Sequence, residues 1–119
     1  MMVRNLVIAA LAACVVPALA TAELAKVETK SQFVQLVQGK TLARPFVRLE
    51  VSPSGDIRGM GARWEVEGNW SWQNGYFCRE IFWGGDPLGY NCQEVRANGS
   101  KIRFTSDRGT GDSADFRLR

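Results

Sequence analysis

Trp70-Ser71-Trp72-Gln73-Asn74-Gly75-Tyr76-Phe77-Cys78-Arg79-Glu80-Ile81-Phe82-Trp83 reads as two extended runs joined by Asn74-Gly75. Trp70 and Trp72 alternate with Asn69, Ser71 and Gln73, the period of a strand with one buried face. Asn-Gly supplies the positive φ that a type I′ turn needs at both central positions, so the stretch is predicted to be a tight hairpin. In the second run, alternation puts Phe77, Ile81 and Trp83 on one face and Tyr76, Cys78 and Phe82 on the other. Both faces carry aromatics, so one of them is either covered by another element or left exposed for binding.

The same pattern extends outward. Val47, Leu49 and Val51 alternate with Arg48, Glu50 and Ser52, and Ser52 to Asp56 has turn chemistry. Ala62, Trp64 and Val66 alternate with Arg63, Glu65 and Glu67; Gly59 and Gly61 mark a bulge or bend, and Gly68 punctuates the run. Trp64, Trp70 and Trp72 are expected in the core as large apolar bodies. Asn98-Gly99 predicts a second hairpin, between Tyr90 to Arg96 and Lys101 to Thr105. A loop from Asp107 to Asp112 then leads to a last strand around Ala114 to Leu118. Upstream, Phe33, Val34, Leu36 and Val37 fall at helical spacing, with Thr29 or Ser31 as N-cap and Gly39 as terminator. The expected fold is mainly β: an antiparallel meander sheet or small barrel of about six or seven strands, with one short N-terminal helix.

The first 22 residues read differently. Arg4 closes a basic start, Leu6 to Val16 is apolar, and Pro17 and small residues lead to Ala22, the layout of a secretory signal peptide. The apolar run is about half of the roughly 20 residues a membrane-spanning helix needs. Ala18-Leu19-Ala20 and Ala20-Thr21-Ala22 both fit a cleavage site, the second being preferred; residues 23–119 are then a single domain. A competing reading takes Leu11-Ala12-Ala13-Cys14 as a lipobox, with Cys14 lipidated. Either route accounts for Cys14 and leaves Cys78 and Cys92 as a pair in an exported chain, where an oxidising compartment lets a disulfide persist.

Loss of Arg4 lowers the net charge from +3 to +2. Along the chain Arg44, Arg48, Arg58, Arg63, Arg79, Arg96, Arg103, Arg108, Arg117 and Arg119 are spread out and interleaved with acids, so no nucleic-acid footprint is expected. The chain has no histidine, which removes histidine triads, histidine bases and histidine metal sites. The two cysteines are not in Cys-x-x-Cys spacing, and no metal or other cofactor is expected. Gly55-Asp56-Ile57-Arg58-Gly59-Met60-Gly61 is not a dinucleotide loop. Carboxylates remain: Glu65 with Glu67, and Asp107, Asp112 and Asp115, whose first reading is a solvated face and whose alternative is glycosidase-like acid and base. The segment Trp83-Gly84-Gly85-Asp86-Pro87-Leu88-Gly89 reads as a long loop pinned by the cysteine pair. Trp83, Gly84, Gly85, Asp86 and Tyr90 are its candidate binding residues.

Three strings, Trp70 to Arg79, Trp83 to Cys92, and Phe104-Thr105-Ser106-Asp107-Arg108-Gly109-Thr110-Gly111, resemble a group of small exported alphaproteobacterial proteins of unknown function. The resemblance runs from about Phe33 onward. Some members carry the name dihydrodipicolinate reductase. The lysine-pathway enzyme of that name is a two-domain Rossmann protein with a nucleotide loop and a histidine-containing motif, neither of which this sequence has. The expected function is a non-catalytic periplasmic or secreted binding module for an envelope ligand or protein. The alternative is an enzyme, either a carboxylate-based hydrolase or the reductase of that name.

Overall fold

The computed structural model describes residues 23–119. The expected signal peptide, its expected cleavage point and Cys14 lie outside the described residues. In chain order the elements are β1 (Ala25–Lys26), α1 (Lys30–Val37), β2 (Leu42–Arg44), β3 (Val47–Val51), β4 (Asp56–Gly61), β5 (Trp64–Gln73), β6 (Tyr76–Trp83), β7 (Asp86–Ala97), β8 (Lys101–Thr105), α2 (Ser106–Gly109) and β9 (Ser113–Leu118). From β2 to β9 each strand pairs antiparallel with the next, and β9 returns to pair with β2 through Leu42 opposite Leu118. The result is a closed eight-stranded up-and-down barrel, with β1 added beside the C-terminal part of β7. Closure gives every barrel strand two neighbours, although β8 reaches β7 only from Glu94 onward and the first part of β7 pairs with β6 alone.

The strand count exceeds the expected six or seven because β1 and β2 are two and three residues long, too short to show alternation. The break expected at Gly68 lies instead at Ala62-Arg63, between β4 and β5, where Ala62 takes φ 52° without being a glycine. Gly59 and Gly68 neither bulge nor end a strand. A methyl at Gly59 would strike the Arg48 carbonyl, and one at Gly68 the Glu80 carbonyl. Their missing side chains let neighbouring strands approach as a small barrel requires.

The helix forms as its sequence predicts. Thr29 caps it: its Oγ1 accepts from the Gln32 amide at 3.1 Å, while Gln32 Oε1 accepts from the Thr29 amide at 3.3 Å, a capping box. Gly39, with φ 71°, follows the last turn, as a left-handed C-terminal residue commonly does. Phe33, fully buried, enters the barrel and meets Trp70 edge-on at 5.1 Å, Trp72 stacked at 5.3 Å and Phe77 at 5.0 Å. Ile57, Val95, Ile102 and Phe104 pack in the same core. The two indole N–H groups at this end are satisfied by main-chain carbonyls, Trp70 on Ser52 and Trp72 on Glu28.

Helix α1 and the turns at 52–55, 74–75 and 98–100 therefore lie at one end of the barrel, which aromatic side chains fill. The turns at 45–46, 62–63 and 84–85 lie at the other, while the segment 106–112 folds back against Asn91, Gln93 and Glu94 of β7, with Arg108 over the Tyr76 ring. That second end is the mouth.

Candidate functional site

The inward face of β6 is built by alternation from Phe77, Arg79, Ile81 and Trp83, so an arginine stands in an otherwise apolar row. Phe77 packs on the helix plug, and Arg79 sits one step nearer the mouth. It borders an internal chamber of about 150 Å³ with Leu42, Ile57, Gln93 and Phe104. Arg79 Nη1 donates to the Gly89 carbonyl at 2.7 Å. No carboxylate pairs with it among the described residues, although a guanidinium carries five N–H donors. Burial pushes its pKa below the ordinary arginine value, the direction expected when desolvation of a cation is not offset by a nearby anion. The other polar wall is Gln93, 8% exposed, whose Nε2 donates to Ser106 Oγ at 3.2 Å.

Above this chamber lies an apolar hollow of about 360 Å³ bounded by Phe46, Val47, Trp83 and Leu88, with Leu49, Ile81 and Phe116 as walls common to both cavities. Local backbone features create it. The ladder between β6 and β7 slips at Ile81/Phe82, so Leu88 is the extra residue of a bulge, and bulges re-aim side chains in this way. Trp83 is fixed by an indole N–H bond to the Gly61 carbonyl at 2.8 Å and by an edge contact with Trp64 at 5.4 Å. Phe46 is 87% exposed at φ 65°, a conformation costly for a bulky residue and worth asking a purpose of. The Ala62 amide bonds the Phe46 carbonyl at 2.7 Å and so holds the two turns together.

Trp64 is 49% exposed at this rim, a correction to its expected place in the core. Strand β5 begins there, beyond the level at which other side chains can cover it.

The expected long loop is not one. Gly84 and Gly85, both at positive φ, make a two-residue turn, and Asp86 to Tyr90 belong to β7. Five sequence candidates are thus separated: Trp83 and Gly84 lie at the mouth, with Gly84 packed against Trp64. Gly85 and Asp86 are exposed in the turn and at the first residue of β7. Tyr90 points outward, its hydroxyl near Gln73 and Cys92. Cys78 and Cys92 are bonded directly across β6 and β7.

The carboxylates singled out in the sequence stay apart from the interior. Glu67 faces Arg58 on the outer surface. Asp115 is held by Arg103, and Asp107 Oδ1 accepts from Asn91 Nδ2. No group of three or more metal-ligating side chains is found among the described residues.

Comparison with protein-family models, curated proteins and solved structures finds no match. The mouth and its arginine therefore rest on their own geometry. No helix among the described residues is long and apolar enough to cross a membrane.

Sequence reasoning missed Arg79, Phe46 and Leu88. The parity of Arg79 with Phe77 and Ile81 was its one visible signal. Nothing in the sequence announces a left-handed phenylalanine or the place of a bulge.

Proposed function

We propose that the chain is an exported, periplasmic binding barrel that takes up an amphipathic anion, a carboxylate or similar head carried on a hydrocarbon body. The observation that carries this reading is Arg79, a half-buried cation on the inner face of β6 with no acidic partner and a single hydrogen bond among the described residues. Partial desolvation of an unpaired cation carries a cost, and an entering anion would supply the missing acceptors through charge-assisted, bidentate bonds. The apolar hollow at the mouth is of the size used for small ligands. An eight-stranded barrel is just wide enough to be filled by side chains or to hold one small ligand. In this reading Trp83 is a wall of the site, and Asp86 and Tyr90 lie outside it.

Titration of residues 23–119 with dodecanoate, followed by calorimetry and by fluorescence of Trp64 and Trp83, tests the reading. Saturable binding is expected for dodecanoate and not for dodecyltrimethylammonium. Arg79→Met should weaken dodecanoate at least tenfold, roughly the loss of one charge-assisted contact, while its melting temperature stays level or rises, because an unpaired, half-buried charge has been removed. Equal binding of the two detergents, or undiminished binding by folded Arg79→Met, would sink the proposal.

A further inference from the structure

Outside the barrel, antiparallel register assembles a basic surface that sequence order conceals. Arg48 lies opposite Ala43, Ala43 opposite Arg117, and Arg117 opposite Lys101, one continuous outward row across β3, β2, β9 and β8. Beside this row is an open groove of about 690 Å³ lined by Arg44, Arg48, Arg117 and Arg119 and by no acidic residue. None of these four arginines forms an ion pair among the described residues. Asp115 attracts Arg44 at longer range but is already held by Arg103. The groove also contains Pro45, Phe46 and Met60. Phe46 therefore belongs to two features at once, the rim of the mouth and the end of the basic groove.

We infer that this face docks the barrel, mouth first, on an anionic lipid bilayer. Four cations without acidic partners match a layer of phosphate headgroups, each worth a roughly fivefold gain in affinity near such a surface. The exposed Phe46 ring, with Pro45 and Met60 beside it, reaches the boundary between headgroups and acyl chains. A polyanion such as nucleic acid would use the arginines and leave unexplained why the groove runs into an apolar hollow. A bilayer accounts for both, and the geometry puts the mouth where an amphipathic anion leaves or enters the lipid. Docking itself stands on the groove and Phe46 and is independent of whether Arg79 binds a ligand.

The test is co-flotation of residues 23–119, which form the complete closed barrel, with vesicles of phosphatidylglycerol or of phosphatidylcholine. Binding to the anionic vesicles alone is expected, weakening as salt is raised. The double variant Arg48→Gln/Arg117→Gln should lose about 20- to 30-fold in partitioning. Phe46→Ser should also weaken binding to phosphatidylglycerol vesicles while its circular dichroism matches the parent. Arg79→Met should float as the parent does, which separates this inference from the ligand reading. Equal flotation with both vesicle types, none with either, an undiminished double variant, or an unchanged Phe46→Ser would overturn docking. So would tighter binding to a single-stranded oligonucleotide than to the anionic vesicles.

Discussion

Two arginines of this barrel are held in opposite ways. Arg103 on the outer face donates through Nε and Nη2 to the two oxygens of Asp115, at 2.6 and 2.9 Å, the fork geometry that makes such pairs specific. Arg79 inside has a carbonyl and no carboxylate. The first arrangement supports the fold, and the second is retained at a cost to it. Hydrogen bonds from Arg103 hold the Asp115 carboxyl below the usual carboxylate range. Its folded pKa thus lies below its unfolded one, so its stabilisation is present above about pH 4 and is lost as pH falls through the folded value. Thermal unfolding followed between pH 6 and pH 2 should show a smaller acid-induced drop for Asp115→Asn than for the parent. Identical acid limbs would mean that the pair contributes nothing, as partly exposed pairs sometimes do. Of these residues, only the inward parity of Arg79 could be read from the chain. The partner of Arg103 lies on another strand, and no local pattern names it.

Among the elements, the β5–β6 hairpin was the most legible. Asn74 and Gly75 both take positive φ, 51° and 84°, as the Asn-Gly dipeptide requires. The β6–β7 hairpin was misread because Asp-Pro and three glycines look like loop chemistry. In the barrel the Pro87 ring and Gly89 instead flank a bulge inside a strand, a place where proline and glycine are tolerated. The disulfide consequently staples two strands that already pair instead of tying down a long loop. It closes a segment with a sequence separation of 14, for which chain entropy predicts roughly 3 kcal/mol. Urea unfolding of Cys78→Ala/Cys92→Ala should show a loss of about that size with a steeper slope, because the released unfolded chain exposes more surface. A loss below about 1 kcal/mol would mean that the ladder already restricts the unfolded chain or that the bridge is strained.

For the whole molecule, the decisive property is polarity between the two ends. Closure of β9 onto β2 makes a tube, and α1 with Phe33 stops one end of it. Phe33→Ala removes a ring that is fully buried and should cost about 3–5 kcal/mol. Hydrogen exchange should quicken first in α1 and the turns at its end, while the mouth strands keep their protection; uniform quickening would show that the plug and barrel open together. Strand period, the hairpin turn, the capped helix and the cysteine pair were set by the sequence itself, because each depends on residues close in the chain or on a count of thiols. Barrel closure, the exposure of Phe46 and Trp64, the arginine among apolar walls and the row of outward cations were decided only by tertiary structure. Closure and the cation row depend on register between strands far apart in sequence, whereas Phe46 is exposed by its own left-handed turn. A shift of one residue in that register would send every side chain to the opposite face.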